Sequence, residues 1–329
     1  MNFNRINLHD CEKINSENNL QANDGSVIAE YYVPELGKKG LYRKNCPNGK
    51  NTDLRELLGS LILNSAGIRT ANIQLTQDDN GETGCLSMDI LKDGEQFLEN
   101  TTTLNSQDIR LQQLPVGIDN SIELDAYTYS ISYPSIPAEF WQQRKEFFKK
   151  YIFISAFIGN TDIKSDNCRL IFDEKSGIVR NPDTYYDMSM AFCDSDINRR
   201  FYDGKSDIDI MMEMYQKYPE SIQEVSRALQ KYLTRDYING ILNMPVFRSI
   251  SEQDISKIWN NIGRKMALIT KQNELLYGIQ PKDTSVLTTV KDIESIANKV
   301  SIQCHNDAKS YLNKIYQKME GDNSNERWI

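Results

Sequence analysis

Histidine is nearly absent: His9 and His305 are the only two in 329 residues, and each lies in a polar segment near one end. A Ser-His-Asp or Cys-His hydrolase needs a positioned imidazole, so that chemistry is excluded, and a zinc hydrolase would lack ligands. Cysteine is scarce and dispersed. Cys11, Cys46, Cys85, Cys168, Cys193 and Cys304 form no Cys-x-x-Cys pair, which excludes a zinc knot or disulfide framework and fits the reduced thiols of a cytosolic protein. Long apolar runs are missing too. The most apolar stretch, Tyr151 to Gly159, has about half of the ~20 residues that a membrane-spanning helix requires. The first twenty residues hold no apolar signal-peptide core, so a cytoplasmic location is expected. Basic charge falls short as well: 38 Lys and Arg against 46 Asp and Glu leave a net charge of −8. That balance argues against general affinity for nucleic acid or anionic membrane.

What remains is an ordinary globular composition, 39% hydrophobic and 9% aromatic, in a chain long enough to build two domains or one large two-lobed one. Residues 1–92 read as a small β-rich lobe with one helix. Val27 to Val33 is β-branched and aromatic, Leu36 to Gly40 forms a turn, and Leu41 to Asn45 is the next strand. A helix is expected from Thr52 or Asp53 to Ala66. Its apolar stripe is Leu54, Leu57, Leu58, Leu61, Ile62 and Ser65, with Arg55, Ser60 and Asn64 falling away from it. Strands over Ala71 to Gln77 and Gly84 to Leu91 follow, joined by the turn Asp78 to Gly81. Residues 93–135 form a polar connecting segment without a clear period. Residues 136–329 read as a helical lobe, with helices over Glu139 to Ile158, Asp207 to Tyr218, Ser221 to Leu233, Arg235 to Leu242, Glu252 to Tyr277 and Thr289 to Met319. One hairpin interrupts it, with strands at Cys168 to Phe172 and Gly177 to Arg180. The fold class is α+β.

Chemistry concentrates between the first long helix and the end of that hairpin. Asp162 lies in a loop, Asn167 comes five residues later, and Asp187 closes the hairpin. Phosphoryl transfer from ATP needs few protein groups: an Asp that orients the attacking hydroxyl, and hard oxygen ligands that hold Mg²⁺ against the phosphates. These three residues supply that set. Asp and Asn are also common turn residues, since their side chains bond the local backbone.

Residues 157–192, FIGNTDIKSDNCRLIFDEKSGIVRNPDTYYDMSMAF, resemble the catalytic segment of HipA-like kinases. In that family a helix ends in Gly-Asn-x-Asp, an Asn follows five residues after the Asp, and Tyr-Asp closes a hairpin. The resemblance spans about residues 20–275 and is strongest at 152–192. It implies a bilobal protein-kinase-like fold in a short form without the family's extra N-terminal subdomain. It also implies serine/threonine phosphorylation of a protein substrate with ATP and Mg²⁺. Some members are toxins partnered by a small helix-turn-helix antitoxin. By position, Asp162 is then the catalytic Asp, and Asn167 and Asp187 are the metal ligands. The chain departs from the family after the catalytic Asp, where relatives carry Arg-His or a similar pair and this sequence has Ile163-Lys164. Lys164 offers a charge near the γ-phosphate.

The same resemblance makes Glu56 the helix carboxylate that pairs with the ATP-binding Lys of the preceding strand. Tyr42 and Lys44 share one face of that strand, and Leu41 and Arg43 share the other. The family position calls for Lys, so Lys44 is expected toward the nucleotide and Arg43 toward solvent. A register shifted by one residue would transfer the pairing to Arg43. Gly25 and Ser26 fall where a phosphate-covering loop would lie. Ser87, Met88 and Asp89 belong to the strand that would bind adenine through its backbone. Two other readings compete: a small-molecule or lipid-headgroup kinase, and a non-catalytic pseudokinase used for binding. Retention of Asp162, Asn167, Asp187 and a Lys–Glu pair speaks against the last.

Overall fold

These patterns become two lobes of different make-up in a computed structural model, which describes residues 5–14, 20–21, 27–45, 51–88, 90–98, 117–160, 163, 165–192 and 205–278. Gly25, Ser26, Asp89, Asp162 and Lys164 lie outside the described residues, as do Cys46, Cys193, Cys304, His305 and the helix expected over Thr289 to Met319.

The first lobe is a curled seven-stranded sheet with one helix. Its strands are β1 (Ile6–Asn7), β2 (Glu12–Lys13), β3 (Leu20–Gln21), β4 (Val27–Val33), β5 (Lys38–Lys44), β6 (Asn72–Gln77) and β7 (Thr83–Met88). They run in the order β1-β6-β7-β5-β4-β2, with β3 also on β4, and every pairing but β1 with β6 is antiparallel. Strand β5 starts three residues earlier than its apolar residues suggest. Gly37 takes φ +61° in the preceding turn, and Val33 then pairs with Lys38. The two-residue strands carry no readable period, so only tertiary pairing makes them strands.

Helix α1 (Thr52–Ser65) packs across one face of this sheet and is buried almost along its whole length. Leu57, Leu58, Leu61 and Ile62 are fully buried with Ile73, Leu75 and Cys85 of the sheet. Each such Leu contributes about 1.5–3 kcal/mol, more than the roughly 1 kcal/mol of a typical helix cap. Asn51 indeed gives no side-chain cap; Asn45 Oδ1 accepts instead from the Asp53 N–H at 2.8 Å. The polar side of α1 is not solvent-facing, contrary to the stripe reading. Ser60 and Asn64 are buried and bond Thr70 Oγ1, each at 2.6 Å.

The connecting segment holds two elements that its composition hides. Strand β8 (Glu95–Phe97) joins the hairpin β9 (Ile171–Asp173) and β10 (Ile178–Arg180) in a second sheet of order β10-β9-β8. Helix α2 (Ile118–Ser132) buries Ile118, Ile122, Asp125, Ala126 and Tyr129. Asp125 breaks the apolar stripe because its partner is buried as well. That partner is Arg144 of α3 (Ala138–Phe157), which is wholly buried and pairs with Asp125 through two contacts of 2.6 and 2.8 Å. Arg144 also donates to the Cys168 carbonyl at 2.8 Å and to Asn181 Oδ1 at 3.2 Å, so the ion pair holds the start and end of the hairpin region.

Four more helices follow: α4 (Asp207–Lys217), α5 (Pro219–Tyr232), α6 (Arg235–Leu242) and α7 (Glu252–Tyr277). Their bounds agree with the periodicity to within two residues. Lys265 of α7 is fully buried, pairs with Asp207 at 2.5 Å and donates to the Phe157 carbonyl at 3.0 Å, which anchors the end of α3. No helix among the described residues is long and apolar enough to cross a membrane.

Candidate functional site

The register of β5 decides which cation faces inward. Tyr42 is buried on the outer face with Ile6, Val33, Leu86 and Met88. Because strand side chains alternate, Leu41 and Arg43 face α1 and the helical lobe. Their cross-strand partners are Ser87 and Cys85, and Cys85 lies in the core beneath α1. Lys44 is therefore turned the other way, where it pairs with exposed Glu82. This corrects the expectation that Lys44 points toward the nucleotide. The physical reason is Tyr42, whose ring is claimed by an outer apolar layer completed by β1.

Arg43 reaches Asp187 with both ends of its guanidinium, Nη1 to Oδ1 at 2.6 Å and Nη2 to Oδ2 at 2.7 Å. It also donates to Ser189 Oγ, which in turn donates to Asp187 Oδ1 at 3.2 Å. Asp187 sits at φ +61°, a left-handed conformation that costs a non-glycine residue about 1 kcal/mol or more, though Asp tolerates it better than most. Buried Asn160 holds it there by donating from Nδ2 to the Asp187 carbonyl at 3.1 Å. Arg55 of α1 donates to the carbonyls of Ala191, at 3.1 Å, and Phe192. On the other side of Asp187, the Ala71 N–H donates to the Tyr185 carbonyl at 2.9 Å. The segment 185–192 is thus fastened to α1, to the β6 edge and to the end of α3.

Glu56 projects from α1 toward the same point and is 1% exposed. Neither of its oxygens has a hydrogen-bond partner among the described residues. The N–H groups of Met188 and Asp187 lie close by without reaching that geometry. Burial, reinforced by the Asp187 charge and opposed by Arg43, pushes the Glu56 carboxyl up to about 8. Asn167 is buried in a short turn, Ser165–Cys168, and the next carbonyl is the one Arg144 holds. Two residues on, the Arg169 N–H donates to the Tyr186 hydroxyl at 3.0 Å, which ties the Asn167 turn to the Asp187 segment.

A cavity of about 660 Å³ opens on the inner face of the sheet, lined by Glu30, Tyr32, Lys39, Leu41, Ser87 and Ile90 among others. Its size suits a drug- or nucleotide-sized ligand. Arg43 follows Leu41 on the same face, roughly 7 Å further along the strand. The inner face of β5 thus forms a strip that runs from the cavity wall at Leu41 to Arg43, which pairs with Asp187. Met88 differs from Ser87: its side chain belongs to the outer layer, leaving only its backbone for this side. A second cavity of about 530 Å³, lined by Arg5, Asp10 and Glu35 among others, opens beside Ile6 and Val33, away from this strip.

No family model matches the chain, and no curated protein matches it in sequence. Among solved structures, the proinflammatory kinase CtkA of Helicobacter pylori superposes with a TM-score of 0.57 at 14% identity, over 83% of this chain and 99% of that one. The chain has the fold of that kinase. HipA of Shewanella oneidensis MR-1, solved with HipB and operator DNA, gives a TM-score of 0.39 at 11% identity, over 84% of this chain and 68% of that one. The kinase-like fold, with a β-rich first lobe and a helical second lobe, agrees with what the catalytic-segment resemblance implies.

Sequence reading gives no role to Asn160, Ser189 or Arg55, and places Arg43 second to Lys44. Asn160 and Ser189 stand inside the quoted segment, each two residues from a singled-out Asp, yet such residues are common in turns. For Arg43 the available signal is Tyr42, a large aromatic that must be buried on one face.

Proposed function

We propose that this chain is an ATP- and Mg²⁺-dependent kinase of HipA-like type that phosphorylates Ser or Thr hydroxyls of a protein. The observation that carries the reading is the convergence of Arg43, Glu56 and Asp187 between the first lobe and the segment 185–192, in a kinase-like fold. The residues fit a metal-bound nucleotide. Glu56 is a buried carboxyl without a hydrogen-bond partner among the described residues, close to the Asp187 carboxylate, a hard-oxygen group of the kind that Mg²⁺ takes.

In this reading, Leu41 and Ser87 border the base, and the backbone of Met88 and Asp89 meets its edge. Arg43 faces the phosphates, and Glu56 holds its guanidinium in place. Asn167 and Asp187 hold Mg²⁺, which neutralises charge on the phosphates when bound. Gly25 and Ser26 cover the phosphates, and Lys164 stands near the transferred group. Asp162 orients the substrate hydroxyl and accepts its proton. An Arg in place of the family's Lys keeps the charge but presents a planar fork suited to two oxygens at once.

One observation favours a second reading, a non-catalytic binding module: Asp187, the proposed metal ligand, is engaged by Arg43. Labelled ATP separates the two. Incubated with Mg²⁺ and a cell lysate, the kinase labels protein bands. The Asp162→Asn chain keeps nucleotide binding and loses transfer by at least ~100-fold, a typical general-base contribution. No transfer by the unaltered chain, with nucleotide bound, selects the binding module. A helix-turn-helix reading frame adjoining the gene is the corresponding test of a toxin–antitoxin role.

A further inference from the structure

We infer that Arg43 locks the metal ligand Asp187, so that the site takes a divalent cation together with nucleotide and rejects the free ion. This rests on the reading of Asn167 and Asp187 as the metal-holding pair. Both carboxylate oxygens of Asp187 accept from Arg43, at 2.6 and 2.7 Å, and Oδ1 also accepts from Ser189. The pair is largely shielded, with side chains 18% and 12% exposed. A divalent cation needs the same lone pairs, and a guanidinium at hydrogen-bond distance on both oxygens leaves no room for it. The like charge of Arg43 adds to the barrier.

The lock has somewhere to open to. Glu56 stands within electrostatic reach of Arg43, buried, with two oxygens that no described group hydrogen-bonds. Arg43 also lies one strand step beyond Leu41, which lines the cavity. A polyphosphate extending from that cavity offers Arg43 new anionic partners, and Glu56 supplies an acceptor on the protein side. Asp187 is then released as the cation arrives. Metal and nucleotide are therefore thermodynamically coupled, each raising affinity for the other by the same factor.

Titration of the full chain with Mn²⁺, by calorimetry without nucleotide, tests the lock directly. Arg43→Gln binds Mn²⁺ about tenfold to hundredfold tighter than the unaltered chain, the range of one charge-assisted hydrogen-bonded pair. Arg43→Lys, which puts a point charge where a fork was, falls between them. It carries the comparison alone if circular dichroism shows that Arg43→Gln does not fold. A non-hydrolysable ATP analogue raises Mn²⁺ affinity far more in the unaltered chain than in either variant. Equal Mn²⁺ affinity in all three chains, lost in Asp187→Asn, overturns the lock and leaves the metal site standing. Absence of Mn²⁺ binding in every chain, with the analogue present, overturns the metal site and the lock together.

Discussion

Two bidentate Arg–Asp pairs serve different ends in this molecule, one side-on through Nε and Nη2 of Arg144, the other end-on through both Nη atoms of Arg43. Arg144–Asp125 is fully buried, is ringed by Tyr129, Phe147 and Phe148, and has its remaining donors taken by a carbonyl and an amide. Arg43–Asp187 lies one strand step from the cavity-lining Leu41, has Asp187 on a left-handed backbone, and adjoins a carboxyl with no hydrogen-bond partner among the described residues. The first is satisfied on every side and holds two helices and a hairpin. The second is set among groups whose preferences change when an anion or cation enters. Bidentate pairing by itself thus says little about role; the unsatisfied neighbours decide it.

The sharpest way to break the comparison is to remove each arginine. Arg144→Met leaves Asp125 buried and alone, which lowers folding stability by about 3–5 kcal/mol in denaturant titration. Arg43→Met leaves a carboxylate with a path to solvent, and its stability loss stays below about 1.5 kcal/mol. Its effect is on function: transfer falls by at least ~100-fold when phosphate positioning is lost. Similar stability losses in the two variants would erase the distinction.

Glu56 sharpens it through pH. Its folded carboxyl titrates near 8, raised by burial, with Asp187 adding and Arg43 opposing. Below about pH 4 both folded and unfolded chains hold this proton. Between about pH 4 and 8 only the folded chain does, so this group makes stability fall as pH rises, and above pH 8 its effect levels off. Glu56→Gln removes that slope. In the nucleotide-free chain the variant gains on the unaltered one across that window, on the order of 5 kcal/mol by pH 8. A pH-independent difference in melting would show that Glu56 has an ordinary carboxylate pKa.

Lys44→Met gives the smallest effect. Its partner Glu82 is 48% exposed, and such surface pairs contribute about 0–1 kcal/mol. Stability and transfer both stay close to those of the unaltered chain. Loss of transfer in Lys44→Met, with Arg43→Met active, would reverse the β5 register.

Long periods were legible in the chain itself. Helix α7 runs over the residues its apolar spacing marks, and α1 ends within a residue of its expected stop, because stripes of Leu and Ile report burial wherever the partner lies. The placing of Asn167 and Asp187 around one hairpin was legible for a similar reason, since Asp and Asn at fixed steps around a turn form a local pattern. Helix α2 was not: Asp125 reads as a surface residue until Arg144, nineteen positions away, is beside it. Nor were β1 and β8, which exist only through their partners β6 and β9.

Arg43 and Lys44 mark the boundary. Sequence alone determined that one of two adjacent cations faces inward, since strand side chains alternate with a period of two. It could not say which, because a shift by one residue exchanges the faces at no local cost. Tertiary structure decided it by seating Tyr42 against Ile6 and Val33, groups brought together by strand pairing across the sheet, and so turning Arg43 toward Asp187, 144 residues further along the chain.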